Sequence, residues 1–229
     1  MSSKTDLTDF PRPSLAVDVA VLTVADDHLS MVLWRRTGRT ETGRWALPGS
    51  FVQRRERLDD AVRRTLADKC AIDGLHPTQL RVMDDPDRDS RGWVVSVAHL
   101  DVVPSEVLAD RGPDGEVHLA AVRADPPSGQ RRGAILDLPD GQAHLPFDHE
   151  AIARLAVDEL RRTYAERPDP YGLLGATFTI RRLRLLHEAV AGHRLQKDTF
   201  RRTMLPYLEA LDGVEEGTVG RPAQLYRRI

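Results

Sequence analysis

Two hydrophobic periods run along this chain, and the places where they switch mark out its elements. Ser14–Val24, "SLAVDVAVLTV", is apolar and β-branched, which predicts a largely buried strand. "ADDH" predicts a turn and "LSMVLWRR" a second strand, closing a hairpin. After the polar loop "GRTETGR", "WALPGSFV" predicts a short strand broken at Pro48-Gly49. From Leu58 the spacing becomes helical: Leu58, Ala61, Val62, Thr65 and Leu66 share one face. "QLRVMDD" and "GWVVSVAHLDVV" predict further strands, and the Gly- and Pro-rich stretch 108–142 predicts loops with one or two edge strands. "DHEAIARLAVDELRRTYAE" predicts an amphipathic helix capped by Asp148, with Ile152, Leu155, Ala156 and Leu160 on its inner side.

Behind an N-terminal tail, 1–14, residues 15–166 therefore predict an α/β/α sandwich with a mixed sheet. "RPDPYG", Arg167–Gly172, opens a linker, 167–175, that reads as a hinge. Residues 176–229 are patterned differently. Thr179 caps a helix that closes at Gly192. "HRLQ" turns the chain into a second helix, "KDTFRRTMLPYL". Asp198 in its first turn suits the helix dipole, and Leu195 with Phe200 forms a hydrophobic staple. "VEEGTVGRPAQLYRRI" predicts two strands around a glycine loop. Helix, turn, helix and hairpin make a winged helix-turn-helix.

Charge sharpens that division. The 229 residues carry a net charge of −2, but 176–229 holds ten basic residues against six acidic, and the rest 23 against 29. A basic module on an acidic one points to nucleic acid, with a solvated charged face as the bland alternative. In a helix-turn-helix the second helix enters the major groove. Here it offers Lys197, Thr199, Arg201 and Arg202, with Phe200 and Met204 turned to the core. Arg221, in the wing loop, would reach phosphate or the adjacent minor groove. The sequence leaves open whether Arg201 and Arg202 read guanine or bind phosphate. One small module binds weakly, so a homodimer on palindromic double-stranded DNA is expected. The single cysteine, Cys70, the polar N-terminus and the lack of a run of about 18 apolar residues predict a cytoplasmic protein without a membrane span.

The candidate chemistry lies in "WALPGSFVQRRERLDDAVRRTLADKCAI", Trp45–Ile72. Its spacing resembles the Nudix box, a glycine turn, a loop glutamate and a helix that holds divalent metal against a pyrophosphate. On that frame Glu56 is the loop glutamate and Arg64 the arginine. Thr65, Asp68 and Lys69 stand where glutamates belong, Ser50 and Ala71 where glycines do, and Ile72 at the final apolar position. Positions 65, 68 and 69 share one helical face, and magnesium wants oxygen ligands there. Two of the three carboxylates are gone and Lys69 adds a positive charge, so neither a metal site nor a catalytic residue is expected. Glu56 and Arg64 remain able to pair and pin the loop. Arg44, Arg64, Arg88, Arg91 and His149 are the candidate ligand contacts, favouring a phosphate-bearing ligand without a metal bridge.

Taken together, "GRWALPGSFV", "RDSRGWVVSVAHL" and "LPFDHEAIA" with "FTIRRLRLLHEAVAGHRLQKDTFRRTML" and "GRPAQLY" resemble the Nudix-related transcriptional regulators, the NrtR family. The resemblance covers nearly the whole chain. It implies a dimeric repressor of NAD-biosynthesis genes that needs no cofactor. ADP-ribose or a related nucleotide, bound to the Nudix-like half, would release it from DNA. The alternatives are a metal-dependent Nudix hydrolase of ADP-ribose with a basic accessory domain, and a DNA-binding protein whose Nudix shell only dimerises.

Overall fold

The first hairpin sets the frame. In this computed structural model, which describes residues 6, 9–109, 115–123, 135–215 and 223–229, β1 (Ser14–Ala25) turns into β2 (His28–Arg35) through Asp26 and Asp27. Both aspartates have positive φ, 49° and 61°, the conformation a two-residue hairpin turn demands and one that Asp tolerates. β1 lies at the centre of a mixed sheet. It runs parallel to β6 (Val94–Val102) and antiparallel to β2 and β4 (Gly49–Phe51). The strand order is β3-β2-β1-β6-β5, with β3 at Trp45–Ala46 and β5 at Thr78–Met83; β7 (Val117–Ala121) also pairs with β2.

Alternation along β1 divides the core between two faces. Val17, Val19 and Val21 pack towards α1 (Leu58–Cys70), which buries Ala61, Val62, Leu66 and Cys70. Ala20 and Leu22 pack towards α2 (His149–Glu166), which buries Ile152, Ala153, Ala156, Val157, Leu160 and Tyr164. The result is the expected α/β/α sandwich. Two details differ from the sequence expectation. Leu155 is only half-buried, because the inner stripe runs through Ala153 and Val157. Asp148 does not cap α2 with its side chain; its carboxylate is taken by Arg88.

The second module contains β8 (Phe178–Thr179), α3 (Ile180–Ala191), α4 (Lys197–Met204), β9 (Leu208–Glu215) and β10 (Ala223–Arg228). β10 pairs with both other strands. Thr179 caps α3 by accepting the Arg182 amide at 3.3 Å, and Gly192 closes it at φ 76°. α4 is shorter than expected. It stops at Met204, and a 3-10 turn over Leu205–Tyr207 carries the chain past Pro206, which has no N–H to donate. β9 therefore begins at Leu208, six residues before the expected strand at Val214. Phe178, Leu183, Phe200, Met204, Leu208 and Tyr226 form the module's own core.

The expected linker, 167–175, carries a buried tie at Asp169. Asp169 is fully buried. Its Oδ1 accepts from the Tyr164 hydroxyl at 3.0 Å and the Leu173 amide at 2.8 Å. Its Oδ2 accepts from the Leu174 amide at 3.0 Å and Arg228 Nη1 at 2.6 Å. The Asp169 amide donates to His187 Nε2 at 3.3 Å. His187 stands edge-on to Tyr164 and Phe200, each 5.0 Å between ring centroids, and burial pulls its pKa down to about 4. Leu186 and Val190 of α3 share one apolar cluster with α2. No helix among the described residues is long and apolar enough to cross a membrane.

Candidate functional site

A cleft of about 310 Å³ opens where β1, the end of β2, the glycine turn and the start of α2 meet. Its floor is a buried ionic network. Asp18 is the polar exception in the apolar run of β1 and lies 5% exposed. Its Oδ2 accepts from Ser96 Oγ at 2.7 Å and Arg88 Nη2 at 3.0 Å, and its Oδ1 lies 3.2 Å from His149 Nε2. Burial pushes the Asp18 carboxyl up, but His149, Ser96 and Arg88 outweigh it and hold the group well below the usual carboxylate range. The Leu47 amide donates to His149 Nδ1 at 3.1 Å. That bond leaves the ring proton on Nε2, pointing at Asp18. Arg88 also grips Asp148 at 2.6 and 2.8 Å. The glycine turn sits directly on this network: a Cβ at Gly49 would collide with Asp18 Oδ1.

The walls are aromatic and cationic. Trp34, Phe51 and Phe147 line the cleft together with Arg36, Lys69 and Arg91. The Arg91 guanidinium lies 5.0 Å from the Phe51 ring centroid and 5.3 Å from that of Phe147, and Arg36 lies 4.9 Å from Phe147. Arg91 is held by Asp89 at 2.5 and 2.8 Å. Arg36 pairs with no carboxylate among the described residues; its Nε donates to the Thr40 carbonyl. Flat rings beside guanidinium heads suit a ligand that carries both an aromatic base and negative charge.

The α1 wall does not fit a divalent metal. Thr65 is buried, with its hydroxyl 2.5 Å from Ser50 Oγ and donating to the Ala61 carbonyl at 2.6 Å. Asp68 faces solvent. Lys69 donates to the Gly49 carbonyl and lies over the Trp34 ring, 4.0 Å from its centroid. Asp18, Asp148 and His149 bring potential metal-binding atoms within 4.8 Å of one another. Arg88 already bridges the two carboxylates, and both ring nitrogens of His149 have partners. That donor set is satisfied by a guanidinium rather than waiting for an ion.

The candidate residues divide accordingly. Arg88, Arg91 and His149 meet at the cleft. Arg44 does not; it binds Glu41 at 2.6 Å and the His144 carbonyl at 2.7 Å, beside a separate surface hollow. Arg64 also lies outside the cleft lining. It pairs with Glu56 at 2.7 and 2.9 Å and with the Phe51 carbonyl at 3.1 Å, pinning the loop to α1. The Arg64 contact, with help from the Gln53 amide, draws Glu56 down to about 2. The sequence reading passed over Asp18, Arg36, Asp89, Phe51 and Phe147. A lone acid inside the run "LAVDVAV" was the available signal for Asp18, since an unpartnered buried carboxylate is not tolerated.

On the other module, α4 exposes Lys197, Thr199, Arg201 and Arg202 and buries Phe200 and Met204. Gln196 caps the helix by accepting the Thr199 amide at 2.5 Å. Lys197, Arg201 and Arg202 pair with no carboxylate among the described residues, unlike Arg227, which Glu209 holds at 2.8 Å. Arg221 lies outside the described residues.

Comparison with known proteins agrees with both halves. Residues 14–129 match the NUDIX domain model, and residues 170–228 match the NrtR DNA-binding winged helix domain. The "ADPR responsive transcriptional repressor NtrR" of Acinetobacter baylyi is 29% identical over 96% of this chain and 84% of its own length. An "ADP-ribose pyrophosphatase" of Methanocaldococcus jannaschii is 34% identical over 62% of this chain and 72% of its own. Shewanella oneidensis NrtR complexed with a 27mer DNA superposes with a TM-score of 0.69 at 27% identity, covering 94% of this chain and 93% of that one. The NUDIX domain of the same protein complexed with ADP ribose superposes at 0.53 and 26% identity, covering 69% of this chain and 95% of that one. With a Nudix fold over half its length and an NrtR winged helix behind it, the chain belongs to the Nudix-related transcriptional regulator (NrtR) family.

Proposed function

We propose that this protein is a DNA-binding repressor whose Nudix-like half senses ADP-ribose or a related nucleotide without hydrolysing it. NAD-biosynthesis genes are the proposed targets. The observation that carries the reading is a division of cations within one chain. Arg36, Lys69 and Arg91 surround an aromatic cleft, and α1 carries Thr65 and Lys69 at two of the three positions where the Nudix frame has glutamate. Lys197, Arg201 and Arg202 stand on a recognition helix with no carboxylate partner among the described residues. The first set suits a nucleotide diphosphate, the second a DNA backbone and its base edges. Arg88 and His149 shape the cleft floor from beneath, and Arg91 is the predicted direct contact.

For a ligand to release DNA it must bind the DNA-incompetent state better. α2 is the candidate strut. Its first residue, His149, lies in the cleft and its Tyr164 lies in the Asp169 tie. Its 18 residues span about 27 Å as one rigid element. A shift of α2 on ligand binding would move the tie, α3 and α4 together.

A duplex from the gene's own promoter, titrated with the protein in a gel-shift assay, tests the proposal. Sequence-selective binding that weakens with added ADP-ribose is expected. The hydrolase alternative is separated by incubating protein with ADP-ribose and magnesium or manganese. Turnover at an ordinary enzyme's rate overturns the sensor reading.

A further inference from the structure

Lys69 occupies a place no other charged group in the cleft shares. It reaches from the last turn of α1 onto the Gly49 carbonyl and is sheltered by the Trp34 ring. Around it stand Arg36 from the end of β2, Asp18 from β1, and Arg64 and Cys70 from α1 itself. Arg88, Asp89 and Arg91 face the same space from the loop before β6, and His149 from α2. No carboxylate pairs with the ammonium among the described residues. Two of its three donors remain for a ligand after the Gly49 bond is counted.

We propose that Lys69 is a resident cation, supplying inside the chain the positive charge that a divalent metal would otherwise bring to a bound diphosphate. This rests on the nucleotide reading of the cleft. Three observations lead to it. Lys69 stands on the helix face where a metal's carboxylates would be, so cation and carboxylate have exchanged places. Thr65 is consumed by Ser50 and the Ala61 carbonyl, and Asp68 is exposed and does not line the cleft, so that face brings no carboxylate to the cleft beside Lys69. The ammonium is also tied to the glycine turn, so charge and turn move as one body. A phosphate on Lys69 would therefore be sensed by the turn itself, which rests on Asp18 and, through His149, on α2.

Calorimetric titration of the full chain with ADP-ribose, once in EDTA and once in magnesium chloride, tests this. Wild-type affinity should agree within about twofold between the buffers, and Lys69→Gln should lose about tenfold or more in EDTA, the size of a charge-assisted contact. Lys69→Gln keeps a donor for Gly49, so it separates charge from hydrogen bond. Lys69→Glu should bind poorly in EDTA and recover with magnesium. Wild-type binding that needs magnesium, or a folded Lys69→Gln that binds like wild type in EDTA, overturns the proposal. If Lys69→Gln fails to fold, Lys69→Arg, with charge retained, is read instead and must bind in EDTA. If wild type binds no ADP-ribose in either buffer, the nucleotide reading fails. Inorganic pyrophosphate in EDTA then decides for Lys69: binding lost in Lys69→Gln supports it, and unchanged or absent binding overturns it.

Discussion

The carboxylate-bound arginines of the Nudix half and the arginines of α4 do different work. In the Nudix half, Arg64, Arg88 and Arg91 each end on a carboxylate, and Arg88 ends on two. They hold loops and strands in place; Arg88 is buried between its two carboxylates, whereas Arg91, held by Asp89, stays partly exposed and faces the cleft. On α4, Arg201 and Arg202 end on nothing among the described residues and keep their charge for a partner. The difference teaches that a basic residue's role follows from what surrounds it. Burial with a carboxylate makes an arginine a fastener, and exposure without one makes it a reader.

The contrast can be broken most forcefully at Arg88. Arg88→Met would leave Asp18 and Asp148 facing each other without their cation, and should cost about 3–5 kcal/mol, measured by urea unfolding. A loss near zero would mean that the buried network is not what holds the cleft floor. Arg201→Ala and Arg202→Ala should behave in the reverse way. Each should weaken operator binding by about 1–3 kcal/mol if it reads a base, or flatten the salt dependence if it binds phosphate, with thermal melting unchanged. Lost melting stability would show them to be fasteners too.

Lys69 lies between these extremes, and pH exposes it. Burial, followed by repulsion from Arg36, draws its pKa from 10.5 down to about 8. Folding thus disfavours the ammonium, so stability should rise as pH climbs from about 8 towards 10.5. Affinity for ADP-ribose should move the opposite way over that range, falling by about tenfold as the ammonium is lost. Lys69→Gln should abolish both trends, and comparing the two proteins at each pH isolates this group from other titrations. The smallest effect is expected at Ala71. It closes α1 at φ 51°, where the family frame has glycine. Ala71→Gly should stabilise the protein by about 0.5–1 kcal/mol in thermal melting, leaving both binding activities untouched.

Much of this architecture was legible in the chain because it rests on local rules. The alternation of β1, the inner face of α1, the Thr179 cap and the Gly192 stop all depend on near neighbours. The end of α4 was legible too, in Pro206, but the apolar run "MLPYL" concealed it. The cleft was only half legible. Arg88 and His149 meet Asp18 from 70 and 131 positions away, and no periodicity reports such a meeting. Arg44 and Arg64 lie outside the cleft lining, held by Glu41 and Glu56 three and eight positions before them. Asp169 looked like part of a hinge because proline and glycine flank it. One of its partners, Arg228, lies 59 positions downstream.

That last distance has a consequence for how the molecule is made. The apolar clusters of the Nudix half draw mainly on residues before the linker and can condense while later residues are still being synthesised. The Asp169 carboxylate cannot, because its cation arrives with β10. Until that strand emerges, a buried charge lacks its counterpart, and the junction has reason to stay open. The sensor is thus expected to take shape first and the DNA-reading head to lock onto it last. A nascent chain halted before Arg228 would carry a folded cleft and an unfastened reader.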